Sequence, residues 1–244
     1  KSTKRIYPNN SLASHILGGT DIDGKWIAGI EKKFDSQLQE GESINLSIHS
    51  GIQHITKKLL SDQITRFEAE GGAGIVMDAK NGQVYSIVSL PDYNANNYNK
   101  TLNKKLFNKA TKGIYELGST LKLITAAIAF ESKLINENEV FDVSKPLRVS
   151  SRIISDFHPL GYAINIPEVI VHSSNIGSAK IAEKFGPSIQ LKYLRSLGLM
   201  NILPLEIPEL GKPQVIMDKK VLSTMTISYG HGISITPMHL TSAT

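Results

Sequence analysis

The 244-residue chain contains no cysteine. That excludes a disulfide framework, a thiolate nucleophile and any cysteine-ligated zinc site. Long apolar runs are missing too. The most hydrophobic stretch, Leu123 to Phe130 with Thr125 inside it, falls far short of the roughly 20 residues that span a bilayer. Basic and acidic residues number 27 and 22, a net charge of +5. The lysines and arginines are scattered, however, and form no arm dense enough to neutralise nucleic acid. The seven histidines, at 15, 49, 54, 158, 172, 231 and 239, include no His-x-x-x-His pair, so no metal site is expected. Gly71-Gly72-Ala73-Gly74 precedes a β-branched run instead of following one, which excludes a phosphate cradle of the strand-loop-helix kind. The chain opens on Lys1-Ser2-Thr3 without an initiator Met or a signal pattern, and an upstream targeting or anchoring segment is expected.

What is present is 41% hydrophobic sequence, enough for one full-sized core and a small accessory module. Residues 1–48 are turn-rich, with Pro8-Asn9-Asn10, Gly18-Gly19 and Asp23-Gly24 between short apolar pieces such as Ile44, Leu46 and Ile48. They read as a β-rich module. Ile52, Ile55, Leu59, Ile64 and Phe67 recur at helical spacing and predict one amphipathic helix ending at Gly71-Gly72. Two β-branched runs, 74–78 and 84–88, flank Lys80-Asn81-Gly82 and predict a hairpin. The Asn- and Lys-rich stretch 91–109 reads as a long surface loop. From Ser119 to Phe130 the pattern is helical and almost wholly apolar, as for a buried helix. Pro167-Glu168, Ile176–Phe185, Pro187-Ser188 and Thr236-Pro237 mark four further helices.

Chemistry concentrates at Gly118-Ser119-Thr120-Leu121-Lys122. A serine at a helix N-terminus lies at the positive end of the macrodipole, where free backbone N–H groups can meet a developing oxyanion. Lys122, three residues on, shares its face. Among apolar neighbours its ammonium is costly, so its pKa should fall far enough to let it act as a base toward Ser119. Taken alone, the pattern also fits a capping serine and a solvated lysine. A second element, His172-Ser173-Ser174-Asn175, lies between two predicted helices. In an extended turn, Ser173 and Asn175 point to one side, offering a hydroxyl for proton relay and an amide for a substrate carbonyl. His172 fits a cleft wall or a helix end, and Glu116 a loop approaching the helix.

In order and separation the two motifs resemble the serine penicillin-recognising enzymes. Arg5-Ile6-Tyr7-Pro8 and 29–38 look like the linker module that precedes the transpeptidase domain in class B penicillin-binding proteins. Asp78–Val84, Pro91–Asn96, Tyr229-Gly230-His231-Gly232 and Thr236-Pro237 match further blocks of that family. Asp156-Phe157-His158-Pro159-Leu160-Gly161 and Ser173–Gly177 bring the resemblance closest to the septal, cell-division peptidoglycan D,D-transpeptidases.

The resemblance implies an α+β fold, an incomplete antiparallel sheet flanked by helices, with a partial linker module over 1–48 and a transpeptidase domain over 49–244. It makes Ser119 the acylated nucleophile, Lys122 its base, Ser173 a proton relay and Asn175 a substrate-holding amide, with no cofactor and no metal. The implied partners are stem peptides ending in D-Ala-D-Ala, β-lactam antibiotics, and membrane-embedded division and glycosyltransferase proteins. The implied place is the periplasmic face of the inner membrane, with no nucleic acid involved. Residues 1–244 hold no Lys-Thr/Ser-Gly beyond Thr236-Pro237, and neither Thr111-Lys112-Gly113 nor Lys212-Pro213 substitutes for it. That triad supplies an oxyanion-hole amide and a carboxylate site in the family, so this polypeptide alone is expected to acylate slowly or not at all, with one sheet edge and the back of the Ser119 helix partly uncovered. A serine β-lactamase and a non-catalytic scaffold are the alternatives. The first lacks a water-activating carboxylate signature, and β-lactamases lack the linker module.

Overall fold

The structure, a computed structural model, describes residues 5–21, 23–136, 138–216, 218 and 220–244. Lys1-Ser2-Thr3, which opens the chain, lies outside them. The chain divides into two compact units. The first is Lys1–Ile114 with Ile202–Lys212 and Thr236–Thr244; the second is Tyr115–Asn201 with Pro213–Ile235.

The first unit begins with α1 (Ser14–Leu17), β1 (Gly19–Thr20), β2 (Trp26–Ala28), α2 (Gly29–Lys33) and α3 (Asp35–Gln39). β1 and β2 form one short antiparallel ladder. The leading segment is thus less β-rich than its turn signals suggest. Gly18-Gly19 and Asp23-Gly24 do bracket that ladder. Ile44, Leu46 and Ile48, half-buried, pack against the cluster of Ile16, Ile30 and Ile87 without entering a strand. Glu31, 4% exposed, ties the start of the chain down by accepting from the Arg5 guanidinium at 2.5 and 2.8 Å and from the Tyr7 hydroxyl at 2.5 Å.

The predicted hairpin is present as β3 (Gly72–Met77) and β4 (Val84–Leu90), paired antiparallel with a bulge between Val76 and Met77. Its turn is held by Asp78, whose carboxylate accepts the Lys80 N–H at 2.7 Å, and by Gly82 at φ 74°. Only glycine adopts that angle without strain.

The predicted helix is α4 (Ser50–Arg66), and its apolar residues divide: Ile52 and Ile64 are half-buried, Ile64 with Leu60 lying beside Gly72 of β3. Ile55, Leu59 and Phe67 are exposed. The polar residue buried against the hairpin is Gln53, whose amide donates to the Ile87 carbonyl at 2.7 Å and accepts from the Ile87 N–H at 3.0 Å and the Ser86 hydroxyl at 2.8 Å. One side-chain amide therefore satisfies the outer edge of β4, which would otherwise bury unpaired backbone groups. The His49 N–H and the Ser47 hydroxyl bond the same edge, at Tyr85 and Val84. Gln53→Ala leaves three buried groups unpartnered and is expected to destabilise the fold by about 2–4 kcal/mol. Urea denaturation measures the loss, and Gln53→Glu should recover only part of it, because a carboxylate can still accept from the Ile87 N–H and the Ser86 hydroxyl but cannot donate to the Ile87 carbonyl.

Residues 91–109 are not a free surface loop. Tyr93 and Ala95 are buried, the Tyr93 hydroxyl donates to the Ser14 carbonyl at 2.8 Å, and the stretch contains a 3-10 turn over Ala95–Lys100 and α5 (Asn103–Leu106). Aromatic burial overrides the polar composition there. The closing helix, Pro237–Ala243, starts in a capping box in which Thr236 Oγ1 accepts the His239 N–H at 3.1 Å.

In the second unit, α6 (Leu121–Ser132) packs against α7 (Ile166–Val171), α8 (Asn175–Ser196) and α9 (Val221–Ser228). Three two-stranded antiparallel ladders surround these helices. They are β5 (Val140–Asp142) with β8 (Ala163–Asn165), β6 (Leu147–Val149) with β7 (Arg152–Ile154), and β9 (Gln214–Val215) with β10 (Ile233–Ser234). Leu121, Ile164, Ile166, Ile181, Leu194 and Met225 fill the core between them. α8 breaks at Gly186, φ 73° and ψ 173°, just before Pro187, so the two helices expected on either side of this point are both present. Helices and short antiparallel strands together make the α+β fold the sequence implies. The outward side of α6 carries Leu123 and Phe130, both exposed.

Candidate active site

Every residue of the predicted site belongs to the second unit. Ser119 sits in a 3-10 turn, Gly118–Thr120, that runs straight into α6. Gly118 has φ 57°, which lets the chain turn sharply into the helix. Ser119 is exposed, and Lys122, one turn further on, is 3% exposed. The buried amine lies 3.1 Å from Ser119 Oγ, 2.9 Å from Ser173 Oγ and 2.5 Å from the Ser173 carbonyl oxygen. The two motifs, separated by some fifty residues of sequence, therefore meet on one nitrogen.

Ser173 adopts φ 53°, a left-handed residue between α7 and α8 instead of the extended turn expected from the sequence. That kink carries both its carbonyl and its hydroxyl to Lys122. Ser174 caps α8 by accepting the Gly177 N–H at 2.8 Å. Asn175, the first residue of that helix, donates from its side chain to the Ser155 carbonyl at 3.0 Å. His172 is the exposed end of α7, as the plainer of its two readings had it.

Burial pushes the Lys122 amine down from 10.5 to about 8, and the nearby Asp156 carboxylate opposes the fall. At neutral pH a useful fraction of the amine is neutral. A neutral amine has two N–H groups and one lone pair. The Ser173 carbonyl can only accept, so it takes one N–H, and the lone pair is left for a hydroxyl hydrogen. The arrangement can thus withdraw a proton from a serine hydroxyl.

Two carboxylates beside this core were not singled out as site residues. Asp156 accepts from the Ser174 hydroxyl at 2.7 Å and from the Ile176 N–H at 3.0 Å, fixing the start of α8. It stands at the head of the Asp156–Gly161 block that carries part of the family resemblance, and that block was the available signal. Glu116 is the second. It accepts the Gly232 N–H at 2.7 Å and pairs with His231 Nδ1 at 3.1 Å, and these bonds, the first above all, hold its carboxyl below the usual range. Each of its oxygens thus carries one bond to the 231–232 segment.

A turn leading into α6, with one desolvated lysine within reach of two serine hydroxyls, is an arrangement suited to acyl transfer through a serine. The chain belongs to the penicillin-binding protein transpeptidase domain family, whose model matches residues 72–244. Among its relatives is the "Probable peptidoglycan D,D-transpeptidase FtsI" of Caulobacter vibrioides, 31% identical over 98% of this chain and 42% of the relative. The peptidoglycan D,D-transpeptidase FtsI of Escherichia coli K12 is 26% identical over 98% of this chain and 45% of its own length. The chain therefore spans under half the length of these relatives. Penicillin binding protein 3 of Mycobacterium tuberculosis, solved in complex with ampicillin, shares the fold with a TM-score of 0.87 at 23% identity, covering 98% of this chain and 56% of that one.

Proposed function

We propose that the chain carries the acyl-transfer site of a septal, class B peptidoglycan D,D-transpeptidase. The reading rests above all on one observation, the buried Lys122 amine within hydrogen-bond reach of both Ser119 and Ser173. Neutral Lys122 takes the proton of the Ser119 hydroxyl, and Ser119 Oγ attacks the carbonyl carbon of the D-Ala-D-Ala amide in a stem peptide. The C–N bond breaks, the leaving D-alanine amine receives a proton relayed through Ser173, and an ester remains on Ser119. The amine of a neighbouring stem peptide then attacks that ester and restores the serine. Asn175 holds the substrate carbonyl side, and β-lactams acylate the same serine by imitating the amide. Residues 1–48 act as part of the linker module and 49–244 as transpeptidase domain. The site works at the periplasmic face of the inner membrane, beside membrane-embedded division and glycosyltransferase partners.

Incubation with a labelled penicillin followed by peptide mass spectrometry tests this. A covalent adduct, however slowly formed, is expected on the peptide containing Ser119 and is expected to vanish in Ser119→Ala. Label on any other serine, or equal labelling of the variant, would remove the assignment. Rapid multiple-turnover hydrolysis of a chromogenic β-lactam would favour a β-lactamase instead.

A further inference from the structure

The segment entering the nucleophile turn is fastened to one partner stretch, residues 228–235, at successive points. Tyr115 and Ile235 exchange both backbone hydrogen bonds, at 2.9 and 3.0 Å. Next, the Glu116 carboxylate holds the Gly232 N–H and His231 Nδ1. Gly230, at φ 93°, then packs against Gly118 so closely that an added β carbon would lie 2.1 Å from the Gly118 carbonyl oxygen. Inside α6, the Thr125 hydroxyl donates to the Ser228 carbonyl at 2.8 Å. The pairing runs antiparallel, 115 with 235, 116 with 231 and 232, 118 with 230, and 125 with 228. Ser119 follows directly on the third of these points.

We infer that Glu116 is a positioning residue, whose carboxylate latches the 229–232 loop onto the Gly118 turn and so fixes where the Ser119 hydroxyl points. The claim rests on the reading of Ser119 as the acylated residue. Three features support it. The 229–232 loop is tied to α9 and to Ile216 by its own backbone hydrogen bonds, but its contact with Gly118 is van der Waals, so the directed bonds between it and residues 116–118 come from the Glu116 carboxylate. The one to the Gly232 N–H is charge-assisted, roughly twice the strength of a neutral hydrogen bond. The contact also falls between the fixed bridge at Tyr115 and the reacting serine, where a slack loop would be felt first.

The test uses Glu116→Ala and Glu116→Gln. Glutamine still offers an oxygen to the Gly232 N–H and an N–H to the His231 ring. In ¹⁵N-correlated spectra the amides of Gly118, Ser119 and Gly230 are expected to shift or broaden in the alanine variant and to return close to their parent positions in the glutamine variant. The amides of Ala129 and Ile181, in the core, should not move. Labelling of Ser119 by a fluorophosphonate is expected to slow by about tenfold in Glu116→Ala and to recover to within about twofold in Glu116→Gln, with the urea midpoint unchanged. Unmoved Gly118 and Ser119 amides, or parental labelling in the alanine variant, would overturn the inference. If the parent and Ser119→Ala take up label equally, the reading of Ser119 fails, and the amide shifts alone decide whether the latch exists.

Discussion

Replacing Lys122 with methionine is expected to slow acylation of Ser119 by about a thousandfold or more, measured as the second-order rate of covalent labelling. Methionine keeps the volume and the apolar contacts of the lysine stem, so the variant should fold; what it loses is the lone pair that accepts the serine proton. Lys122→Arg should be equally inactive, because a guanidinium stays protonated throughout the accessible range. The parent enzyme's pH profile gives an independent reading. The amine must be neutral to act, and burial sets its pKa at about 8. The rate should therefore rise about tenfold per pH unit below that value and level off above it. The sign for stability follows from the same shift. A lysine whose folded pKa lies below its unfolded value penalises the protonated native state, and that penalty is present in full below about 8. Between about 8 and the unfolded value near 10.5 the penalty is relieved as pH rises. Lys122→Met should flatten this dependence and raise stability below pH 8. A rate profile centred near the ordinary lysine value would show that the amine is not desolvated, and would take away the basis of its role as base.

Gly230→Ala is expected to be nearly as damaging, by a different route. The glycine has φ 93°, and a β carbon there would lie 2.1 Å from the Gly118 carbonyl oxygen, well inside contact distance with backbone that cannot step aside. Left-handed strain and the clash together should cost about 2 kcal/mol or more. If the loop instead lifts to relieve the clash, stability recovers at the expense of the Gly118–Ser119 turn. In that case labelling of Ser119 falls while the urea midpoint holds. Gly82→Ala is the matched control. It has positive φ too, at 74°, but with no atom within 4 Å of its added β carbon, so it should show only the smaller conformational cost and parental labelling. Gly230→Ala with parental stability and parental labelling would contradict the close approach seen here.

Much of the site was legible before the fold. Ser119 and Lys122 lie three residues apart in a helical pattern, and helical geometry alone puts them on one face. The helix-start signals at Thr236-Pro237 and Pro167-Glu168 sit where the helices start, because a helix start is a local contest for backbone N–H groups that nearby residues decide. The hairpin was equally local. The α4 face was only half legible. Periodicity marked Ile52, Ile55, Leu59, Ile64 and Phe67 as inward, and of these Ile52 and Ile64 are half-buried while the other three are exposed; the hairpin edge needed a donor and an acceptor together, and only Gln53 on that helix presents both to Ile87. Hydrogen-bond demand from a partner strand leaves no trace in a hydropathy pattern. The 91–109 stretch misled for a related reason, since two buried aromatic and small side chains outweigh many asparagines in deciding where a segment lies.

The sequence by itself determined the chemistry on offer: which residues carry hydroxyl, amine and amide, where the helices and the hairpin begin, and which family the motifs resemble. Tertiary structure decided what the chemistry is worth. Burial among α6, α7, α8 and their strands lowers the Lys122 amine to about 8. The left-handed turn at Ser173 brings a hydroxyl and a carbonyl to that amine from fifty residues away. Asp156, marked in the linear order only by its family block, and Glu116, unremarkable there, become the fixings of α8 and of the Gly118 turn. Desolvation and long-range hydrogen bonds depend on which surfaces meet, and a linear pattern records only what each residue can do once they have.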